Sequence, residues 1–216
     1  PNTVYFSAAI DDPATMSPND FSGLYKSTNS GATVTEVTVV TPPSMGSQQW
    51  YDWTLTVNPT NANELYAGGV GFSKSTDGGV NWSPVGGIHV DHHYCAFEGN
   101  TLYVGSDGGI YKTTNGGTNW TFLNEGLSIT QYYRISNAET SPNTMLAGAQ
   151  DNGTHLLNDG SWSHEFGGDG MDNAIDPNDD LNLFVSFQYG NFFRSTNGGE
   201  TFSHMIRPSD TGIDGA

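Results

Sequence analysis

One phrase, repeated at long and nearly regular intervals, constrains this chain more than any other feature. It reads Leu24-Tyr25-Lys26-Ser27-Thr28-Asn29-Ser30-Gly31 and again Phe72-Ser73-Lys74-Ser75-Thr76-Asp77-Gly78-Gly79. It returns as Ile110-Tyr111-Lys112-Thr113-Thr114-Asn115-Gly116-Gly117 and Phe192-Phe193-Arg194-Ser195-Thr196-Asn197-Gly198-Gly199. In the last three copies an aromatic residue follows three positions later: Trp82, Trp120 and Phe202. Ser27 to Ser75 is 48 residues, Ser75 to Thr113 is 38, and Thr113 to Ser195 is 82, twice a period near 41. A degenerate copy is therefore expected between Thr113 and Ser195, and Gly153 to Trp162 fits. A period of about 40 residues holding four short strands is the sequence mark of a β-propeller blade.

The composition agrees with that reading. The 216 residues include 28 Gly and are rich in Asn, Thr and Ser, which favour turns and disfavour helices. The expected fold is all-β: four-stranded antiparallel blades, about five of them, forming part of a larger propeller. Approximate blade limits are 1–48, 49–87, 88–128, 129–167 and 168–216. The first blade lacks its innermost strand, strand A, and begins at strand B. A self-contained five-bladed ring closed by the polar tail 206–216 is the alternative. Pro1 is not an initiator Met, so the chain is expected to be processed, truncated or partial.

Charge excludes one class of partner. With 23 Asp plus Glu against six Lys plus Arg, the formal charge is −17. A nucleic-acid surface needs cations that this chain lacks. No apolar run is long enough to span a bilayer, so no membrane insertion is expected. Cys95 is the sole cysteine, which excludes an intrachain disulfide; it is read as a small buried apolar residue.

The repeated turn has a physical task. Its Asp or Asn accepts backbone N–H groups, its Gly supplies positive φ, its Ser or Thr hydroxyl ties the turn to the strand, and its aromatic ring covers it. Structural roles are thus assigned to Ser27, Asn29 and Gly31, to Ser75, Asp77, Gly79 and Trp82, to Thr113, Asn115, Gly117 and Trp120, and to Ser195, Asn197, Gly199 and Phe202. Asn replaces Asp in three of the four copies, so hydrogen-bond geometry rather than charge is the expected requirement. On these residues the chain resembles the Asp-box, or BNR, repeat propellers, a group that includes sialidases, xyloglucanases, sortilin-type receptors and a photosystem assembly factor. The phrases Val90-Asp91-His92-His93, Gln150-Asp151-Asn152-Gly153 and Gly167-Gly168-Asp169-Gly170 are similar to those of large bacterial secreted proteins described as glycosyl-hydrolase-like. The resemblance implies a secreted or cell-surface location. It does not choose between enzyme and binder, because one fold hosts both. A sialidase would clamp its substrate with three arginines; only Arg134, Arg194 and Arg207 exist, and Arg194 sits beside a repeated turn.

Blade topology places the unusual polar residues. Strand starts and the loops between strands B and C share one face, opposite the repeated turns. Trp50, Tyr51 and Asp52, then His89, Asp91, His92 and His93, then Tyr132 and Tyr133, then Asp169 and Asp172 fall at successive strand starts. Asp107, then Gln150, Asp151 and Asn152, then Tyr189 fall in the B–C loops. Their convergence on one rim is the expected functional site. Paired carboxyls suit glycosidic-bond cleavage, and Asp91 with Asp169 is the expected catalytic pair, with Asp52 and Asp151 behind. The aromatic rings suit stacking on sugars. Alternation along a strand sends His92 and His93 to opposite sides, which weakens a transition-metal reading. No cofactor is expected. Among metals, calcium suits so acidic a chain better than zinc, although no contiguous loop pattern marks it. The leading expectation is a module recognising glycan or protein, with the remaining blades of the same polypeptide as its structural partners. The alternatives are a glycoside hydrolase and a structural part of a surface protein.

Overall fold

The computed structural model describes residues 2–12, 17–46 and 48–206. It contains five antiparallel sheets built as simple meanders, the arrangement of β-propeller blades. They fall in two compact units, Pro1–Leu127 and Ser128–Ala216.

The first unit holds three blades. Blade 1 has three strands in the order β1 (Val4–Asp12), β2 (Ser17–Ser27) and β3 (Thr35–Val37). Blade 2 runs β4 (Thr54–Asn58), β5 (Asn61–Gly68), β6 (Phe72–Ser75) and β7 (Trp82–Pro84). Blade 3 runs β8 (His92–Glu98), β9 (Thr101–Ser106), β10 (Gly109–Thr113) and β11 (Thr121–Phe122). The second unit holds blade 4, β12 (Tyr132–Asn137), β13 (Met145–Ala149), β14 (Gly153–Asn158) and β15 (Ser161–Phe166). Blade 5 is β16 (Asn173–Asp176), β17 (Asp179–Phe187), β18 (Asn191–Ser195) and β19 (Ser203–Ile206). The expectation that the tail from 206 closes a ring concerns residues beyond Ile206, outside the described part.

Strand alternation puts apolar side chains on the faces of the blades, and within each unit neighbouring blades bury them against one another. Between blades 1 and 2 the core is Tyr5, Leu24, Met45, Leu65, Ala67 and Trp82. Between blades 2 and 3 it is Tyr66, Phe72, Cys95, Leu102 and Val104. In the second unit Leu146, Leu156, Ile175, Leu183 and Val185 fill the same kind of layer. Several polar atoms at these layers are paired. Tyr5 OH donates to the Ala62 carbonyl at 3.0 Å, and Trp53 Nε1 donates to Ser7 Oγ at 2.9 Å. Cys95 Sγ lies 3.3 Å from Thr54 Oγ1, and burial pushes its thiol up to about 12.

The four repeated turns share one hydrogen-bond scheme. Ser75 Oγ donates to Asp77 Oδ1 at 2.8 Å and accepts the Gly79 N–H at 2.9 Å. Asp77 Oδ1 accepts the Asn81 N–H at 3.0 Å. The same three bonds recur around Ser27 and Asn29, Thr113 and Asn115, and Ser195 and Asn197. Trp82 Nε1 closes its own turn on the Gly79 carbonyl at 2.9 Å. Trp120 Nε1 reaches instead to the Gly86 carbonyl of the preceding blade at 3.1 Å. The degenerate fourth copy is a different turn altogether. Asp159 and Gly160 both have positive φ, 46° and 82°, and Asn158 pairs with Ser161, a two-residue hairpin that needs no hydroxyl clasp.

Candidate functional site

In the first unit, the approach to β4 and the approach to β8 come together. The chain from Gln48 to Asp52 turns on itself, with the Tyr51 and Asp52 N–H groups both donating to the Gln48 carbonyl at 2.7 and 2.9 Å. This turn exposes Trp50 and Tyr51, which are 70% and 51% exposed. It drives Asp52 inward, to 0% exposure. Asp91 enters β8 with φ at 61°, a left-handed conformation uncommon outside glycine. Its N–H donates to the Val70 carbonyl, and its own carbonyl accepts the Asp107 N–H from the loop between β9 and β10, both near 3.1–3.2 Å.

These two bends assemble a cluster of acids. Asp91 and Asp107 carboxylate oxygens lie within 4.8 Å of one another. Gln48 Nε2 donates to Asp91 Oδ1 at 3.2 Å. His93 Nε2 meets Asp107 Oδ1 at 2.6 Å, and the Tyr51 ring stands edge-on to the His93 ring at 4.8 Å. Trp50 continues this ledge, its ring 5.7 Å from that of Tyr51.

Asp52 sits against Asp91 with no donor to either of its oxygens. Two carboxyls in this position bond to each other only when a proton lies between them. Burial first, and then the Asp91 charge, push the Asp52 carboxyl up to about 6. Burial and the Asp107 charge raise Asp91 in turn.

The two histidines at the head of β8 have different surroundings. The pairing of β8 with β9 shifts register between His92 and Tyr94, so His93 is the extra residue of a bulge. His93 turns to Asp107. His92 is 2% exposed, with Nδ1 on the Gly69 carbonyl at 2.8 Å and its ring 5.0 Å from Phe72. Its burial lowers its proton affinity. His89 is adjacent, with Nδ1 3.1 Å from the Val90 carbonyl.

The second unit gathers residues of its own. Asp169 Oδ1 accepts the Asp151 N–H at 2.9 Å, and Gly153 N–H donates to the Gly168 carbonyl at 2.9 Å. The loop 150–153 is thereby stitched to the approach to β16. Asn152 Nδ2 ties back to the Gln150 carbonyl, and the Gln150 N–H donates to the Gln131 carbonyl. Tyr133 lies close enough to Asp169 and Asp151 that, after burial, their charges raise its phenol. Arg134 Nε pairs with Asp172 Oδ1 at 3.1 Å, and these two join Tyr133 and Met171 around an open pocket of about 200 Å³. Tyr132 stacks on Trp162 at 6.2 Å. Tyr189 stands apart, 85% exposed at φ 65° in the single turn of 3₁₀ helix between β17 and β18.

Among the residues expected at the rim, Trp50, Tyr51, Asp52, His89, Asp91, His93 and Asp107 thus meet in the first unit. Tyr133, Asp151 and Asp169 meet in the second. Gln48 was missed. A glutamine ahead of an aromatic pair carries no local signal, and its role depends on a residue 43 positions away.

No protein-family model matches this chain, and no curated protein matches it in sequence. Among solved structures it is similar to a GH74 enzyme of Niastella koreensis, at 22% identity over 96% of this chain and 37% of that one, TM-score 0.44. A GH74 xyloglucanase of Xanthomonas campestris aligns at 17% identity over 95% of this chain and 36% of the other, TM-score 0.44. YCF48 bound to D1 peptide aligns at 15% identity over 84% and 74%, TM-score 0.34. The chain spans little more than a third of the length of either GH74 protein.

Proposed function

We propose that this chain is part of a secreted or cell-surface propeller of the Asp-box kind that recognises glycans. The observation that carries the reading is the ledge of Trp50 and Tyr51, standing exposed beside the Asp91, His93 and Asp107 cluster. A large ring left in water gains by stacking on the apolar face of a sugar. Carboxylates next to it accept the hydroxyls that fan out from the same sugar edge. Aromatic surface and acceptors side by side are the two halves of that chemistry.

A hydrolytic role is the second reading. Asp91 holds its proton more strongly than an ordinary carboxyl, as a general acid must. Asp169, its expected partner, already accepts a backbone N–H, which suits a tie within the blade better than an attacking group.

The test is retention on a panel of neutral polysaccharides, followed by product analysis. Trp50→Ala is expected to weaken retention about tenfold, the ~1.4 kcal/mol of one ring stack. Unchanged retention by both Trp50→Ala and Tyr51→Ala would remove the ledge from the binding site. Released sugar that disappears in Asp91→Asn would favour the hydrolase.

A further inference from the structure

We infer that Asn115 is a site of spontaneous covalent modification: its side-chain amide is lost by cyclisation onto the Gly116 nitrogen, and the repeated turn accepts the aspartate that water then leaves there. The inference is independent of the glycan reading and concerns different residues.

The chain has three Asn-Gly steps, at Asn115, Asn152 and Asn197. Glycine carries no side chain to shield its nitrogen, so in each step that nitrogen can attack the Asn Cγ. The bond from the Gly nitrogen to Cγ forms, the Cγ–Nδ2 bond breaks, and ammonia leaves with the proton of the former N–H. The product is a cyclic succinimide. Water opens it at one of its two carbonyls, giving aspartate or the backbone-lengthened isoaspartate. A Gly N–H donated to a carbonyl must break that bond before its nitrogen can attack.

The fold locks two of these steps. Gly153 N–H donates to the Gly168 carbonyl at 2.9 Å, and Asn152 Nδ2 to the Gln150 carbonyl at 3.0 Å. Gly198 N–H donates to the Leu181 carbonyl at 3.0 Å, and Asn197 Nδ2 to Thr201 Oγ1 at 2.8 Å. At Asn115 both locks are missing: neither the Gly116 N–H nor Asn115 Nδ2 has a hydrogen-bond partner among the described residues. Asn115 is also exposed, where Asn152 and Asn197 are half-buried. Its Oδ1 meanwhile accepts the Thr113 hydroxyl at 2.9 Å and the Asn119 N–H at 3.0 Å. Those two donors draw charge from Cγ and stabilise the oxyanion that forms on Oδ1 as the nitrogen attacks. Asn115 and Gly116 line an open cleft of about 400 Å³ with Lys74 and Tyr66, which admits the water that opens the ring.

Aspartate supplies what this turn lacks. In the turn of Asp77 the second carboxylate oxygen accepts Asn81 Nδ2 at 2.9 Å. Four positions after Asn115 stands Asn119, again a donor amide, and its side chain has no partner among the described residues. A carboxylate at position 115 takes up that amide. It also keeps the bonds from the Thr113 hydroxyl and the Asn119 N–H, since both are donated to an oxygen.

The experiment is ageing of the full chain in mildly alkaline buffer, native and in unfolding urea. Peptide mass spectrometry then follows amide-to-acid conversion at each of the three asparagines. In the native chain Asn115 is expected to convert about tenfold or more faster than Asn152 and Asn197, which must first break a hydrogen bond. In urea that gap should close, because the fold alone creates it. Equal rates in the native chain, faster conversion at Asn152 or Asn197, or the same gap persisting in urea would each overturn the assignment. Asn115→Asp tests the second half. Its Tm is expected to exceed the parent's at neutral pH, and a Tm equal to or below the parent's would mean that the turn does not take the carboxylate.

Discussion

At the level of single residues, three of the four repeated turns show a matched exchange, the turn of Asn115 and Asn119 being the exception. Where the turn acid is Asp77, its second oxygen accepts Asn81 Nδ2 at 2.9 Å. Where Asn29 or Asn197 stands in its place, the amide reverses the bond and donates to Thr33 or Thr201 Oγ1, each at 2.8 Å. The side chain four positions on is a donor in the first case and an acceptor in the others. Asp77→Asn alone is therefore expected to lower Tm at neutral pH, because the charged acceptor of Asn81 Nδ2 is lost while Asn81 Oδ1 is already engaged by Thr41 Oγ1 at 3.2 Å. Asp77→Asn with Asn81→Thr should recover it. The pair also carries a pH signature. The Asn81 N–H and side chain, with the Ser75 hydroxyl, hold Asp77 down at about 2. A depressed carboxyl stabilises the fold above the free-chain pKa of about 3.9 and loses that contribution as pH falls toward 2. Acid-induced loss of Tm between about pH 4 and 2 should be smaller in the double variant than in the parent; an equal loss would mean the turn does not feel its charge. The sequence made the Ser or Thr, the Asx and the Gly legible. It hid the pairing with the fifth residue, because Asn and Thr both read there simply as polar.

Among the elements, strand order and most strand positions were readable, since each hairpin is announced by its own turn and by period-two alternation. β10 and β18, Gly109–Thr113 and Asn191–Ser195, each end on the Ser or Thr that opens a repeated turn. The bulge at the head of β8 was not readable. It depends on the Asp91 carbonyl meeting the Asp107 N–H, a contact between two turns that no local pattern records. The bulge matters because it frees His93 from alternation and delivers it to Asp107. The layers between blades are the main source of cohesion, and β17 supplies Leu183 and Val185 to the one in the second unit, at 0% and 2% exposure. Leu183→Ala should cost about 2–5 kcal/mol, read as a lower urea midpoint at unchanged m-value. A loss below about 0.5 kcal/mol would mean that this layer is not packed as described.

For the molecule as a whole, the charge of −17 is the governing quantity. Self-repulsion opposes the folded state, and salt screens it, with a Debye length of about 30 Å at 0.01 M and 10 Å at 0.1 M. Sodium chloride over that range is expected to raise Tm; a fall would mean that attractive pairs outweigh repulsion. Such pairs are few among the described residues, and Arg134 with Asp172 is largely exposed and so weak. Composition announced the repulsion, but not that Asp52 comes against Asp91, because the two meet only after blades 2 and 3 have packed. The clasp of each repeated turn has the opposite character. The three bonds of the hydroxyl and the Asx side chain begin and end within seven residues, so the shape of the corner travels with the same short stretch wherever it is copied or spliced in a gene. Lineages built on such self-sealing corners can change the number of their sectors more readily than the sequence of any one.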